Sequence, residues 1–239
     1  MSKHLYNAKI SKFRWFAARF GVSEMFLKPL RATFAPVIIP TLPVKRFPFK
    51  GRELEYFYHR YNMTWACERC VEVPIGRYYA QQAKASEVLE VGNVLSHYGS
   101  VGHTIIDKYE VAPGVKNADI TTFTSAVPFR VIFSISTFEH IGFDDEAGSG
   151  SAGKIKAAIA CCRKLLAPDG TFAITVPISY NPELNELISS GELEPRAEYF
   201  MRRTKRLTWE PTDKKDALKA KYRKPFPYAN AVMIAEWGS

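Results

Sequence analysis

Acidic residues are nearly missing from the first fifty positions, cysteines are few, and no apolar run is long enough to span a bilayer. Each shortage excludes something. Residues 1 to 50 hold one acid, Glu24, against ten Lys or Arg, and this segment alone accounts for the formal charge of +9; the remainder balances 23 bases with 23 acids. A nucleic-acid enzyme more often carries its charge around the working cleft, so a basic arm ahead of a neutral body reads as an attachment device. Four cysteines in 239 residues do not make a disulfide framework. Cys161 and Cys162 are adjacent, and no secretory signal is read at the start, so a reducing, cytoplasmic setting is expected. Cys67-Glu68-Arg69-Cys70 has only His59 as a further ligand nearby, short of the four a structural metal needs, and no metal site is expected. Pro36, Pro40 and Pro43 interrupt the apolar stretch after Phe34, which excludes a membrane span.

What is present is an enzyme-sized α/β pattern. With 46% hydrophobic and 13% aromatic residues the chain can bury a substantial core. Val88-Leu89-Glu90-Val91-Gly92-Asn93 is an apolar strand ending on an acid and a glycine, which sets a carboxylate and bare backbone at one cleft. His103 to Ile106 ends on Asp107. A turn at Pro113-Gly114 leads to Asp119 and Ile120, and Val131 to Ser136 is a buried strand opening into Thr137, Glu139 and His140. Ile155 to Leu166 has helical spacing, Ala167-Pro168-Asp169-Gly170 stops it, and Thr171 to Val176 reads as another central strand. Tyr199 to Trp209 and Ala229 to Trp237 also have strand character.

This succession, over roughly residues 86 to 178, resembles the class I S-adenosylmethionine-dependent methyltransferases. Leu165 to Pro177 is similar to that family's helix, turn and fifth strand, and Ser134 to Ile141 to the segment beside the methionine end of the cofactor. The resemblance implies an α/β, Rossmann-like methyltransferase sheet, mostly parallel with an antiparallel C-terminal strand and helices on both faces. It implies S-adenosyl-L-methionine as cofactor. Glu90 and the backbone of Gly92 and Asn93 would then face its methionine part, Asp107 its ribose, and Asp119 and Ile120 its adenine. Ser136, Thr137 and His140 would lie nearest the methyl, with His140, then Glu139, as general base. Tyr180 and Asn181, leaving the fifth strand, would touch the acceptor. Two departures stand out: Val94 and Ser96 occupy positions where the family usually has further glycines, and the link from Asp107 to Asp119 is too short for a full helix.

Each residue also has a structural reading. A strand-ending acid can cap or form a turn, Glu139 can cap the turn after it, and a lone histidine near apolar residues is more often part of a core. The expected organisation is a basic extension and proline-rich linker over 1–50, a helical lid over 51–85 dense in aromatics (Tyr56 to Tyr61), and the sheet domain over 86–239. Ile10, Phe13, Ala17 and Phe20 share a helix face, which suits either packing on the core with the basic face in solvent or peripheral contact of residues 1–35 with an anionic membrane at the inner face. The activity expected is in-line methyl transfer to a small-molecule or glycan acceptor, oxygen-directed. A non-catalytic binding protein on the same fold is the alternative, as is a nucleic-acid methyltransferase docking through the arm. The second is less favoured because no Asn-Pro-Pro-Tyr-like segment follows the Ser134 strand.

Overall fold

The computed structural model describes residues 22–144 and 150–238. The helix face of Ile10, Phe13, Ala17 and Phe20 lies outside the described residues. In chain order the elements are α1 (Val22–Ile38), β1 (Arg46–Phe49), β2 (Arg52–Glu55), α2 (Arg69–Ala80), β3 (Val88–Val91), β4 (Thr104–Asp107), β5 (Val115–Asn117), β6 (Phe129–Ile135), α3 (Ser151–Lys164), β7 (Leu166–Pro177), α4 (Pro182–Ser190), β8 (Ala197–Lys205), β9 (Thr208–Thr212), α5 (Lys214–Ala217) and β10 (Ala231–Gly238).

Eight strands form one sheet in the order β5-β4-β3-β6-β7-β10-β8-β9. β5, β4, β3, β6 and β7 are parallel, while β10 runs antiparallel between β7 and β8 and β9 closes the edge antiparallel. This is the mostly parallel, Rossmann-like sheet with an antiparallel C-terminal strand that the resemblance implies. The chain steps outward from β3 to β5 and returns to β6 on the other side of β3. That reversal opens a crevice at the carboxyl ends of β3 and β6, where open α/β sheets bind ligands.

Strand alternation feeds two cores. Leu89, Ile106, Ile132, Phe172 and Ile174 meet Ile155, Ala158 and Cys162 of α3 and Leu184, Leu187 and Ile188 of α4. Val88, Val131, Phe133, Ile135 and Ala173 meet Val71, Val73 and Ile75 of α2 on the opposite face. Burial on both sides explains why these strands read as unbroken apolar runs. Gly76 lets α2 lie close: a Cβ there would come within 2.3 Å of Ile135 Cδ1. Pro74, inside α2, cannot donate to the carbonyl of Cys70, and Phe57 N–H takes that carbonyl instead at 2.9 Å. The proline thus ties the segment after β2 to the helix.

Three expectations are revised. α1 continues through Pro36 to Ile38, so part of the segment expected to be basic extension and proline-rich linker is helical. Residues 46–55 form a hairpin whose Phe47 and Phe49 are buried, with Lys50 and Gly51 both at positive φ, the geometry of a tight two-residue turn. The Pro168-Asp169-Gly170 turn sits inside β7 as an irregularity, with Asp169 at φ 61, rather than ahead of the strand.

Candidate active site

The loops after β3 and β4 are built around two carboxylates. Glu90 is fully buried; its Oε1 accepts the N–H groups of Val94 (3.0 Å) and Leu95 (2.8 Å), and its Oε2 lies 2.7 Å from His103 Nε2. Expected to face a ligand, Glu90 instead pins the loop from beneath, because the backbone donors at Val94 and Leu95 turn inward to it. Gly92 has φ +87, and a Cβ on it would fall 2.1 Å from Thr137 Oγ1, so the glycine is needed for the loop to pass this side chain. Asn93 donates its backbone N–H to Asp107 Oδ2 at 3.0 Å and its amide to Glu110 at 2.9 Å. Asp107 Oδ1 accepts from the N–H groups of Tyr109 and Glu110, both at 2.8 Å.

No α-helix separates β4 from β5, in keeping with the short link. Asp119 turns the chain after β5: its Oδ1 accepts from Thr121 N–H and hydroxyl, and its Oδ2 pairs with Lys108 Nζ at 3.0 Å. Burial alone would lift its pKa, but these bonds outweigh it and hold the carboxyl below its ordinary value. Ile120 is buried in the α3–α4 core.

The ends of β6 and β7 carry a second group. Ser136 adopts φ 39 and Ser179 φ 68, conformations non-glycine residues rarely take, so both strand-end turns are held under strain. The Ser136 hydroxyl donates to Glu72 Oε1 at 2.6 Å and that of Thr175 to the same oxygen at 2.9 Å. Arg69, one turn earlier on α2, donates to the Ile135 carbonyl at 3.1 Å and holds Nε 3.8 Å from Glu72 Oε2. Glu72 and Glu139 are both buried, and the Oε2 of each has no hydrogen-bond partner. Burial, reinforced by the negative charge of Glu72, pushes the Glu139 carboxyl up to about 7, against the pull of His140 and Arg69.

His140 Nδ1 is bonded to Asp144 Oδ2, and its Nε2 lies 3.6 Å from Glu139 Oε1. Burial lowers its pKa, yet the Glu139 and Asp144 carboxylates more than compensate and leave it raised. Tyr180 donates its hydroxyl to Asp144 Oδ2 at 2.9 Å, and its ring lies 4.8 Å from His140 and 5.1 Å from Tyr222. Asn181, expected at the acceptor, is buried as the N-cap of α4. Its Oδ1 accepts from Glu183 and Leu184 N–H and its amide donates to the Glu139 carbonyl at 3.0 Å. It therefore fixes Glu139 from behind. On the other side, Phe57 packs on Tyr98 at 5.2 Å and Tyr61 stacks on His97 at 4.7 Å, laying the segment before α2 over the β3 loop.

The structure thus brings Gly92, Asn93, Asp107, Ser136, Thr137, Glu139, His140 and Tyr180 to the carboxyl ends of neighbouring strands and spends Glu90, Ile120 and Asn181 on support. Sequence reasoning missed Asp144, Tyr98 and Tyr222, which no periodicity marks. Glu72, an acid between Val71 and Val73 in a buried run, belongs to the segment expected to form the lid, whose residues could include acceptor contacts.

No protein-family model matches the sequence, and no curated protein matches it. Among solved structures the chain is similar to the N-methyltransferase NodS from Bradyrhizobium japonicum WM9 in complex with S-adenosyl-L-homocysteine, at 15% identity and TM-score 0.45 over 72% of this chain and 87% of that one. It is similar to a SAM-dependent methyltransferase from Archaeoglobus fulgidus at 13% identity and TM-score 0.42, over 70% of this chain and 93% of that one. A third similarity is to the glycopeptide N-methyltransferase MtfA complexed with S-adenosyl-L-homocysteine, at 12% identity and TM-score 0.34, over 68% and 84% of the two chains.

Proposed function

We propose that the chain is an S-adenosylmethionine-dependent methyltransferase whose acceptor is a small molecule or glycan methylated on oxygen. The observation that carries this reading is the pairing of His140 with Asp144, set at the β6 end of the crevice across from the Gly92 and Asp107 loops.

The residues fit the cofactor. Asp107 Oδ2 and Asp119 Oδ2 each accept one bond, and a carboxylate oxygen has two lone pairs, so each keeps one for a ligand donor. Asp107 would hold the ribose hydroxyls, Asp119 the adenine amino group, and the backbone at Gly92 and Asn93, with Ser136 and Thr137, the methionine part. When bound, S-adenosylmethionine supplies an electrophilic methyl on a sulfonium.

The protein's own contribution is placement and a proton acceptor. With His140 Nδ1–H donating to Asp144 Oδ2, Nε2 is left as the basic nitrogen, and Tyr180 holds Asp144 in turn. The neighbouring carboxylates raise the basicity of that nitrogen. A base so placed is worth about 100 to 10,000-fold for a hydroxyl acceptor, and fixing the acceptor in line contributes up to about 7–11 kcal/mol in favourable cases.

The test is label transfer from methyl-labelled S-adenosylmethionine to a panel of soluble glycans and small hydroxylated molecules. Transfer that falls at least 100-fold in His140→Ala, with cofactor affinity unchanged, is the expected result. Cofactor binding with no transfer to any acceptor would favour the non-catalytic binding protein.

The proposal includes a cytoplasmic location with peripheral contact to an anionic membrane through residues 1–35. Leu30, Phe34 and Val37 are exposed on one side of α1, and the flanking sequence is basic. No helix among the described residues is long and apolar enough to cross a membrane. Sedimentation with phosphatidylserine vesicles that is lost on deleting residues 1–35 supports this contact.

A further inference from the structure

Two buried carboxylate oxygens near the ends of β6 and β7 have no hydrogen-bond donor. Glu72 and Glu139 come from different elements, α2 and the turn after β6, and each leaves its Oε2 buried and unbonded. Glu139 feels the charge of Glu72 and that of Arg69. Arg69 does not satisfy them: one of its nitrogens is spent on the Ile135 carbonyl, and its Nε stays 3.8 Å from Glu72 Oε2, beyond hydrogen-bond range. Buried carboxylates are ordinarily paired or fully bonded. Glu72 has the long ion pair with Arg69 and Glu139 that with His140, and the Oε2 atom of each still lacks a hydrogen-bond donor, which a cation brought by a ligand would supply. A metal does not answer: no group of three or more His, Cys, Asp or Glu among the described residues has the arrangement to hold one.

We infer that the acceptor carries a protonated amine, which Glu72 and Glu139 receive through their free Oε2 atoms beside the hydroxyl served by His140. Three features support an ammonium on the acceptor. Glu72 is anchored through Oε1 by Ser136 and Thr175, at the ends of β6 and β7, and Glu139 follows β6 directly before His140. Glu139 therefore lies beside the base that would serve the acceptor. Tyr180 and Tyr222, edge to face at 5.1 Å, border the same region, and Tyr222 senses the charge of Glu139; aromatic faces with carboxylates are a favourable surround for an ammonium. His140 Nε2, 3.6 Å from Glu139 Oε1, places the base within one small group of the amine, as an amino alcohol or amino sugar requires. The inference rests on the methyltransferase reading only in calling this ligand the acceptor.

The experiment uses the full chain and two small probes. Ethanolamine, protonated at neutral pH, and ethylene glycol, its neutral counterpart, are titrated by saturation-transfer NMR into wild type, Glu72→Gln and Glu139→Gln. The same proteins are titrated calorimetrically with S-adenosylmethionine. Glutamine keeps an acceptor oxygen for Ser136 and Thr175, and Glu139→Gln touches neither bond; near-UV circular dichroism verifies the fold. We expect ethanolamine to bind wild type, to lose at least tenfold in either variant, and to exceed ethylene glycol, while cofactor affinity stays within twofold. Absent ethanolamine binding, equal binding of the two probes, or ethanolamine binding unmoved in both variants overturns the inference. Loss of cofactor but not ethanolamine in the variants also overturns it, assigning the carboxylates to the cofactor's own cation. Wild type that binds ethanolamine but not S-adenosylmethionine leaves the amine site standing and defeats the methyltransferase reading.

Discussion

Glu139→Gln removes one ionisable group and little else. The carboxyl is buried, next to Glu72, and burial pushes its pKa from 4.5 to about 7. A carboxyl raised on folding binds its proton more tightly in the native than in the unfolded state. Below pH 4.5 both states hold the proton and the site costs nothing. As pH rises through about 7 the unfolded chain has already ionised while the native site must ionise against burial, and that stability is lost. At about 1.4 kcal/mol per pH unit, the interval from 4.5 to about 7 amounts to roughly 3 kcal/mol. For a chain of this size, where 1 kcal/mol moves Tm by about 2–4 °C, Glu139→Gln should melt about 6–12 °C above wild type at pH 8, the gap closing toward pH 4. Differential scanning calorimetry across that range measures it. A gap independent of pH, or a wild type more stable than the variant at pH 8, would refute the argument that this carboxyl is buried against its own charge.

Other outcomes follow from the loops. Glu90→Ala strands the buried N–H groups of Val94 and Leu95, at about 1–3 kcal/mol each, so urea titration should show a loss of about 2–6 kcal/mol, with Glu90→Gln milder because it keeps an acceptor. Gly92→Ala forces a Cβ against Thr137 at positive φ and should destabilise by more than about 1 kcal/mol; adding Thr137→Ala should restore only part of this, since the backbone penalty remains. His140→Ala should reduce turnover and spare cofactor affinity, as set out above; equal loss of both would assign His140 to binding.

The parallel half of the sheet was legible because its strands are buried on both faces: Val88 to Val91, Val131 to Ile135 and Thr171 to Val176 appear as apolar runs ending in polar residues. The hairpin was not. Its alternation, Arg46-Phe47-Pro48-Phe49, buries both phenylalanines, but the prolines around it imitate a linker. The acids at the strand ends were visible as residue types while their duties were not, since duty depends on contacts the chain order conceals. Glu90 is fixed by donors four and five residues ahead, so its loop-pinning role was available in principle. Glu72 meets Ser136 and Thr175 across 64 and 103 residues, and only the packing of α2 over β6 and β7 brings them together. Asn181 looked like an acceptor contact by its place after β7, yet Pro182 behind it was the mark of a helix cap.

The most direct test of the central claim is calorimetric titration of the full chain with S-adenosylmethionine, beside Asp107→Asn, which keeps the shape of the side chain but turns one acceptor oxygen into a donor. Saturable one-to-one binding to wild type, weakened at least tenfold in the variant, is the result expected of a cofactor held at the β3 and β4 ends. Absence of binding to well-folded wild type would contradict it.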